Sequence, residues 1–105
     1  PEGMASVVLT KEVLERFQAT DQLASLVVSV PGTVEGILAW SMYVEQEDET
    51  FRVHLRSKGP TVNDIAQEFG GGGHTLACGI PSVTKSQILE VDAKLKEAVR
   101  NFKKN

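Results

Sequence analysis

Phe51-Arg52-Val53-His54-Leu55-Arg56-Ser57-Lys58 alternates from its first residue to Arg56, with Phe51, Val53 and Leu55 apolar and Arg52, His54 and Arg56 polar or basic. Successive side chains of a strand point to opposite faces, so this stretch predicts a strand with one face in a core and one carrying cations. Arg52 and His54 read as the exposed polar face of an antiparallel sheet. Arg56-Ser57-Lys58 reads differently, because it enters the turn Gly59-Pro60, and binding groups are often placed where a rigid strand gives way to a loop.

On the N-terminal side, Ile37 to Val44 is nearly continuous in apolar residues, which predicts a strand covered on both faces. Trp40 reads as core packing, whereas Tyr43 stands between core packing and stacking on a nucleobase. The acidic run Glu45-Gln46-Glu47-Asp48-Glu49 joins the two strands as a solvated hairpin tip. It would repel phosphate, so an anionic ligand belongs at the other end of the strands. Earlier still, Val7-Val8-Leu9 reads as a short buried strand. Thr10 caps a helix from Lys11 to about Ala19, with Val13, Leu14 and Phe17 as its apolar stripe. Thr20-Asp21-Gln22 opens a second helical segment through Leu26 or Val27, and Pro31-Gly32 is a turn.

On the C-terminal side, Thr61 offers a capping box with Asp64, and Val62, Ile65, Ala66 and Phe69 recur at helical spacing. That helix ends at Gly70-Gly71-Gly72-Gly73, with Gly70 as its C-cap. Ordering a glycine costs roughly 0.5–1 kcal/mol relative to alanine. The run is therefore either a cap and a flexible turn, or a backbone that approaches a ligand closely and aims N–H groups at an anion. A helix C-terminus is the negative dipole end, which places the anion after the loop. There His74-Thr75-Leu76-Ala77 is expected to form one helical turn, with the N–H groups of Gly72 to Thr75 pointing outward. Gly79-Ile80-Pro81 reads as an edge strand or extended link. Thr84 and Gln87 form a second capping box, stapled by Val83 and Ile88. The final helix carries Ile88, Val91, Leu95, Ala98, Val99 and Phe102 on one stripe and closes with Arg100, Lys103 and Lys104, which suit its C-terminal dipole.

Length and composition bound the function. With 105 residues, 41% of them apolar and 24% charged, residues 1–105 form one ordinary globular domain. No apolar run approaches the roughly 20 residues that span a bilayer, and no signal peptide opens the chain. A start at Pro1-Glu2-Gly3 suggests a piece of a longer protein. The single cysteine, Cys78, excludes an internal disulfide and reads as a small buried filler in a reducing, cytoplasmic setting. With only His54 and His74 besides, zinc has too few ligands. A net charge of −3 argues against broad nucleic-acid binding but leaves room for a local anion pocket.

Val53-His54-Leu55-Arg56-Ser57-Lys58-Gly59, then Ile65-Ala66, then Phe69-Gly70-Gly71-Gly72-Gly73-His74, then Ala77 and Gly79, closely resemble the C-terminal domain of DHH-family phosphoesterases. Within that family the likeness is nearest to bacterial bifunctional oligoribonucleases that also dephosphorylate phosphoadenosine phosphate. The match covers Phe51 to Gly79, and its strength lies in the joint occurrence of an Arg-Ser-Lys strand end and a Gly-Gly-Gly-His loop at this spacing. The resemblance implies a small mixed β-sheet with flanking helices, an α+β substrate-binding domain that faces an N-terminal DHH catalytic domain in a two-domain phosphoesterase. It implies that Gly71, Gly72, Gly73 and His74 hold a phosphate of a short oligonucleotide or nucleotide, and that Arg56 and Ser57 contact the nucleotide too.

The family's two metal ions, usually manganese, are held in the catalytic domain, in part by an Asp-His-His triplet that is absent here. Asp21, Asp48, Asp64 and Asp92 are scattered and sit beside no histidine. The chain alone is therefore expected to bind no metal or other cofactor and to hydrolyse nothing, acting within a hydrolase of exonuclease type by positioning substrate. His74 is expected to donate a hydrogen bond to phosphate or to pair with it when protonated, with general-acid assistance a lesser role. Two other readings remain at this point. One is a phosphodiesterase of cyclic dinucleotides or their linear products, and the other is a free-standing nucleic-acid-binding module of the kind that also occurs on alanyl-tRNA synthetases. No membrane contact is expected of this chain, and oligomeric state stays open.

Overall fold

In the computed structural model, residues 3–16 and 36–104 are described. Their elements are β1 (Met4–Leu9), α1 (Lys11–Arg16), β2 (Ala39–Glu45), β3 (Phe51–Ser57), α2 (Asn63–Glu68), β4 (Gly72–Gly73), β5 (Ala77–Val83) and α3 (Lys85–Lys104). The expected second helical segment, the Pro31-Gly32 turn and Phe17 lie outside the described residues. The five strands form one sheet in the order β1-β2-β3-β5-β4, with β1 parallel to β2 and every other pairing antiparallel. This is the expected small mixed sheet with helices, an α+β fold.

β3 bears out its alternation, Phe51, Val53 and Leu55 being buried while Arg52 is exposed and His54 and Arg56 are half-buried. Its buried face joins Tyr43, Cys78, Ile80 and Val83 in a core closed by Val62, Ile65 and Ala66 of the α2 region and by Val91, Leu95 and Val99 of α3. β2 is covered on both faces from Ala39 to Tyr43, as its apolar run predicts. Met42, with Val7, Leu9 and Val44, forms a separate small cluster on the sheet's second face. β1 is longer than expected and only partly covered, with Val8 exposed.

Local chemistry sets several boundaries. Thr10 Oγ1 accepts the Val13 N–H, capping α1, although Val13 itself is exposed. Glu49 turns the β2–β3 hairpin at φ 67°, and Glu47, Asp48 and Glu49 are solvated as expected. The Thr84–Gln87 capping box forms in both directions, with Thr84 N–H donating to Gln87 Oε1 at 2.7 Å and Gln87 N–H to Thr84 Oγ1 at 3.3 Å.

Three local expectations are corrected. The Thr61–Asp64 capping box does not form, because α2 starts after Val62 and has no side-chain cap. Val62 is buried, its N–H donates to the Thr75 carbonyl at 3.0 Å, and its own carbonyl accepts from Ile65 and Ala66. Burial of Val62 thus decides where the helix begins. His74 to Ala77 is the turn of a β-hairpin rather than a helical turn, closed by His74 N–H to Ala77 O at 2.8 Å and Ala77 N–H to His74 O at 3.3 Å. Gly79-Ile80-Pro81 is not an edge, since β5 lies between β3 and β4. Pro81 is tolerated there because β4 pairs with only Cys78 and Gly79, and because the β3–β5 register shifts between Phe51 and Val53.

Candidate functional site

Strand alternation and register build a cleft on the sheet face turned away from α2 and α3. Arg52, His54 and Arg56 project from one side of β3, two residues and so about 7 Å apart. Opposite His54 on β5 stands Gly79, and opposite Arg56 stands Ala77, so the adjoining strand offers almost no side chain there. The result is a cleft of about 370 Å³ lined by Arg52, His54 and Arg56, by Gly72 and Gly73 of β4, and by Ala77 to Pro81 of β5. Basic groups form one wall and bare backbone forms the rest.

The glycine run has separate reasons at separate positions. Gly70, at φ +87°, follows α2 in the left-handed region. Its N–H bonds to Gln67 O at 3.2 Å and that of Gly71 to Ala66 O at 2.8 Å, which closes a Schellman motif. A Cβ on Gly71 would run into the carbonyl of Gly79, and one on Gly73, itself at φ +145°, would lie 2.8 Å from the Cys78 Cα. These glycines let β4 lie against β5. Gly72 differs, because a Cβ there would meet only Asn63 Oδ1, at 3.9 Å.

The N–H groups expected to point outward are divided as well. That of His74 is taken by the Ala77 carbonyl, and that of Gly71, just before the set, by Ala66. Because His74 and Ala77 exchange both hydrogen bonds, the next pair, Gly73 and Cys78, does not. Gly73 N–H thereby points away from β5, at the outer edge of the sheet formed by the described residues.

Arg56 is held in place by its own sheet. Its Nη1 donates to Leu55 O at 2.9 Å and to Cys78 O at 3.1 Å, which fixes the guanidinium beside the cleft and leaves further donors. His54 stands between Arg52 and Arg56, and its pKa lies below the ordinary imidazole value, first through burial and then through Arg56 and Arg52. Cys78 is buried toward the core, and burial holds its thiol above the ordinary range, which makes it an inert filler.

Of the residues singled out in the sequence, Arg56, Gly72 and Gly73 come together in this cleft. Ser57 does not join them: its hydroxyl donates to Pro60 O at 2.6 Å and accepts from Gly59 N–H at 3.0 Å, pinning the turn after β3. Gly71 sits against the backbone of β5, and His74 is exposed at the hairpin turn. Arg52 and His54, which the sequence reading set aside as solvated surface, line the cleft. Their shared parity with Arg56 on the strand was the available signal. Tyr43 is excluded from base stacking, because it is buried with its hydroxyl on Asp92 at 2.5 Å. Trp40 is buried too. Among the described residues, no group of three or more His, Cys, Asp or Glu side chains could hold a metal ion.

The five-stranded mixed sheet thus carries α2 and α3 on one face and a basic, glycine-walled cleft on the other. Residues 4–101 match the DHHA1 domain, and the chain belongs to that family. It is 36% identical over 98 residues to the probable bifunctional oligoribonuclease and PAP phosphatase NrnA of Streptococcus mutans, covering 93% of this chain and 32% of that protein. To the bifunctional oligoribonuclease and PAP phosphatase NrnA of Bacillus subtilis it is 47% identical over 77 residues, covering 73% of this chain and 24% of the relative. The chain thus spans a third or less of these curated relatives. Among solved structures, an exopolyphosphatase-related protein from Bacteroides fragilis superposes with a TM-score of 0.76 at 27% identity, over 97% of this chain and 30% of that one.

Proposed function

We propose that this chain is the substrate-holding domain of a phosphoesterase that acts on short oligonucleotides and phosphoadenosine phosphate, and that the cleft beside Arg56 receives a phosphate of the substrate. The observation that carries this reading is the placement of a backbone-anchored guanidinium next to the unobstructed glycine strand β4. A phosphate there meets Arg56 and Arg52 as charge-assisted donors, and the outward N–H of Gly73 is a further donor for the part of the substrate that passes the edge of the sheet. His74, on the adjoining turn, is positioned to contact the part of the substrate that extends beyond β4. The names of the relatives supply the substrate class.

In this reading the domain contributes orientation and not reactive groups. When manganese is bound in a DHH catalytic domain, it supplies an activated hydroxide and polarises the scissile phosphate. This chain's part is to hold the substrate's end against that centre, in a cytoplasmic exonuclease-type enzyme.

An amide-shift titration by NMR tests the proposal, using this chain with a short oligoadenylate and with phosphoadenosine phosphate, each without metal. Shifts concentrated at Arg52 to Arg56 and Gly72 to His74 are expected. Shifts confined to other surfaces, or none at millimolar ligand, would overturn the assignment of the cleft.

A further inference from the structure

We infer that His54 is a third anion ligand of this cleft and takes up a proton when phosphate enters, so that binding tightens as the pH falls from about 7.5 to about 5.5. This rests on the reading of the cleft as a phosphate site and adds a regulated residue to it.

The geometry comes from β3. His54 lies midway between Arg52 and Arg56 on one strand face, so an anion drawn to both guanidinium groups is brought over the imidazole. The groups facing His54 from the neighbouring described strands carry no charge. Met42 stands opposite on β2, flanked by Trp40 and Val44. Gly79 stands opposite on β5, with Ala77 and Pro81 on either side, and β4 adds only glycine. Among the described residues, two arginines and no carboxylate therefore act on the ring.

Without an anion, burial first and then the two arginines oppose protonation and hold the imidazole pKa below its ordinary value of 6.5. An entering anion reverses the balance, because it offsets the arginine charges and rewards a positive ring. A neutral imidazole has one N–H to donate, and the protonated ring has two. Anion binding and proton uptake are consequently linked, each raising the affinity for the other.

The test needs anions that do not titrate themselves. Inorganic sulfate and thymidylyl-thymidine, whose single phosphodiester keeps its charge throughout, are titrated by NMR against this chain at about pH 5.5, 6.5 and 7.5, following the cleft amides and the His54 imidazole. For both anions, affinity should rise roughly fivefold or more from the highest to the lowest pH, and the imidazole midpoint should move upward at saturating sulfate. His54→Gln, which retains a neutral donor, should flatten the dependence.

An unmoved midpoint in the unaltered protein, or an unchanged slope in His54→Gln, overturns the inference. If the anions perturb the cleft amides with pH-independent affinity, the inference fails while the phosphate site stands. If they perturb none of these amides at any pH, the site fails and the inference with it.

Discussion

At the scale of single residues, Gly70 to Gly73 are alike in sequence and different in duty. Gly71 and Gly73 are demanded by the backbone of β5, whereas the fold asks nothing comparable of Gly72. Gly71→Ala should therefore lower stability by about 2 kcal/mol or more through the clash it creates, and Gly72→Ala should leave it within about 1 kcal/mol. Thermal unfolding of the two variants checks this. Loss of nucleotide binding in a well-folded Gly72→Ala would show that this glycine serves the ligand. β3 offers a parallel contrast between adjacent residues. Leu55→Ala should cost about 2–5 kcal/mol as a core truncation, while Arg56→Ala, half-buried at the cleft, should weaken nucleotide binding with a smaller effect on stability. Equal losses of melting temperature would remove Arg56 from the binding face.

At the scale of elements, α3 is tied to the sheet by a polar link as well as by its apolar stripe. Asp92 accepts from Ser6 and Ser41 Oγ, each at 2.8 Å, and from Tyr43 Oη. Burial and Asp92 push the Tyr43 hydroxyl well above its ordinary range, so it stays a protonated donor. Asp92→Ala leaves the buried hydroxyls of Ser41 and Tyr43 without this acceptor and should destabilise by about 1–3 kcal/mol in denaturant unfolding. Tyr43→Phe combined with Asp92→Ala should cost less than the sum of the two, because the shared hydrogen bond is lost once. The stripe of α3 was legible from its spacing, and Val91, Leu95 and Val99 are fully buried. Phe102 continues that stripe but is 44% exposed, its ring lying where a Cβ on Gly59 would come within 2.5 Å. The bond from Asp92 to β1 and β2 was not legible, since its partners are 49 to 86 residues away in sequence.

At the scale of the whole molecule, the chain is a domain that spans 32% or less of the curated relatives it was compared with, and no helix among the described residues is long and apolar enough to cross a membrane. A division of labour with a catalytic domain makes one firm prediction. With manganese added, this chain alone should release no mononucleotide from a short oligoribonucleotide, and the protein that carries a DHH domain as well should do so. Turnover by the isolated chain would place reactive groups where this reading has only binding ones.

What the sequence determined by itself was whatever depends on neighbours in the chain. The period-two pattern of Phe51 to Arg56, the apolar run of β2, the caps at Thr10 and Thr84 and the stop at Gly70 all follow from local sterics and hydrogen bonding. The DHH-family resemblance also rested on short motifs of this kind. Only the tertiary structure decided that β5 runs between β3 and β4, that His74 lies on a hairpin turn, and that Ser57 serves its own loop. It alone brought Arg52 and His54 from a seemingly solvated face into a cleft. Those outcomes depend on which strand lies alongside which: a polar face reads the same in sequence whether water or a row of glycines lies beside it.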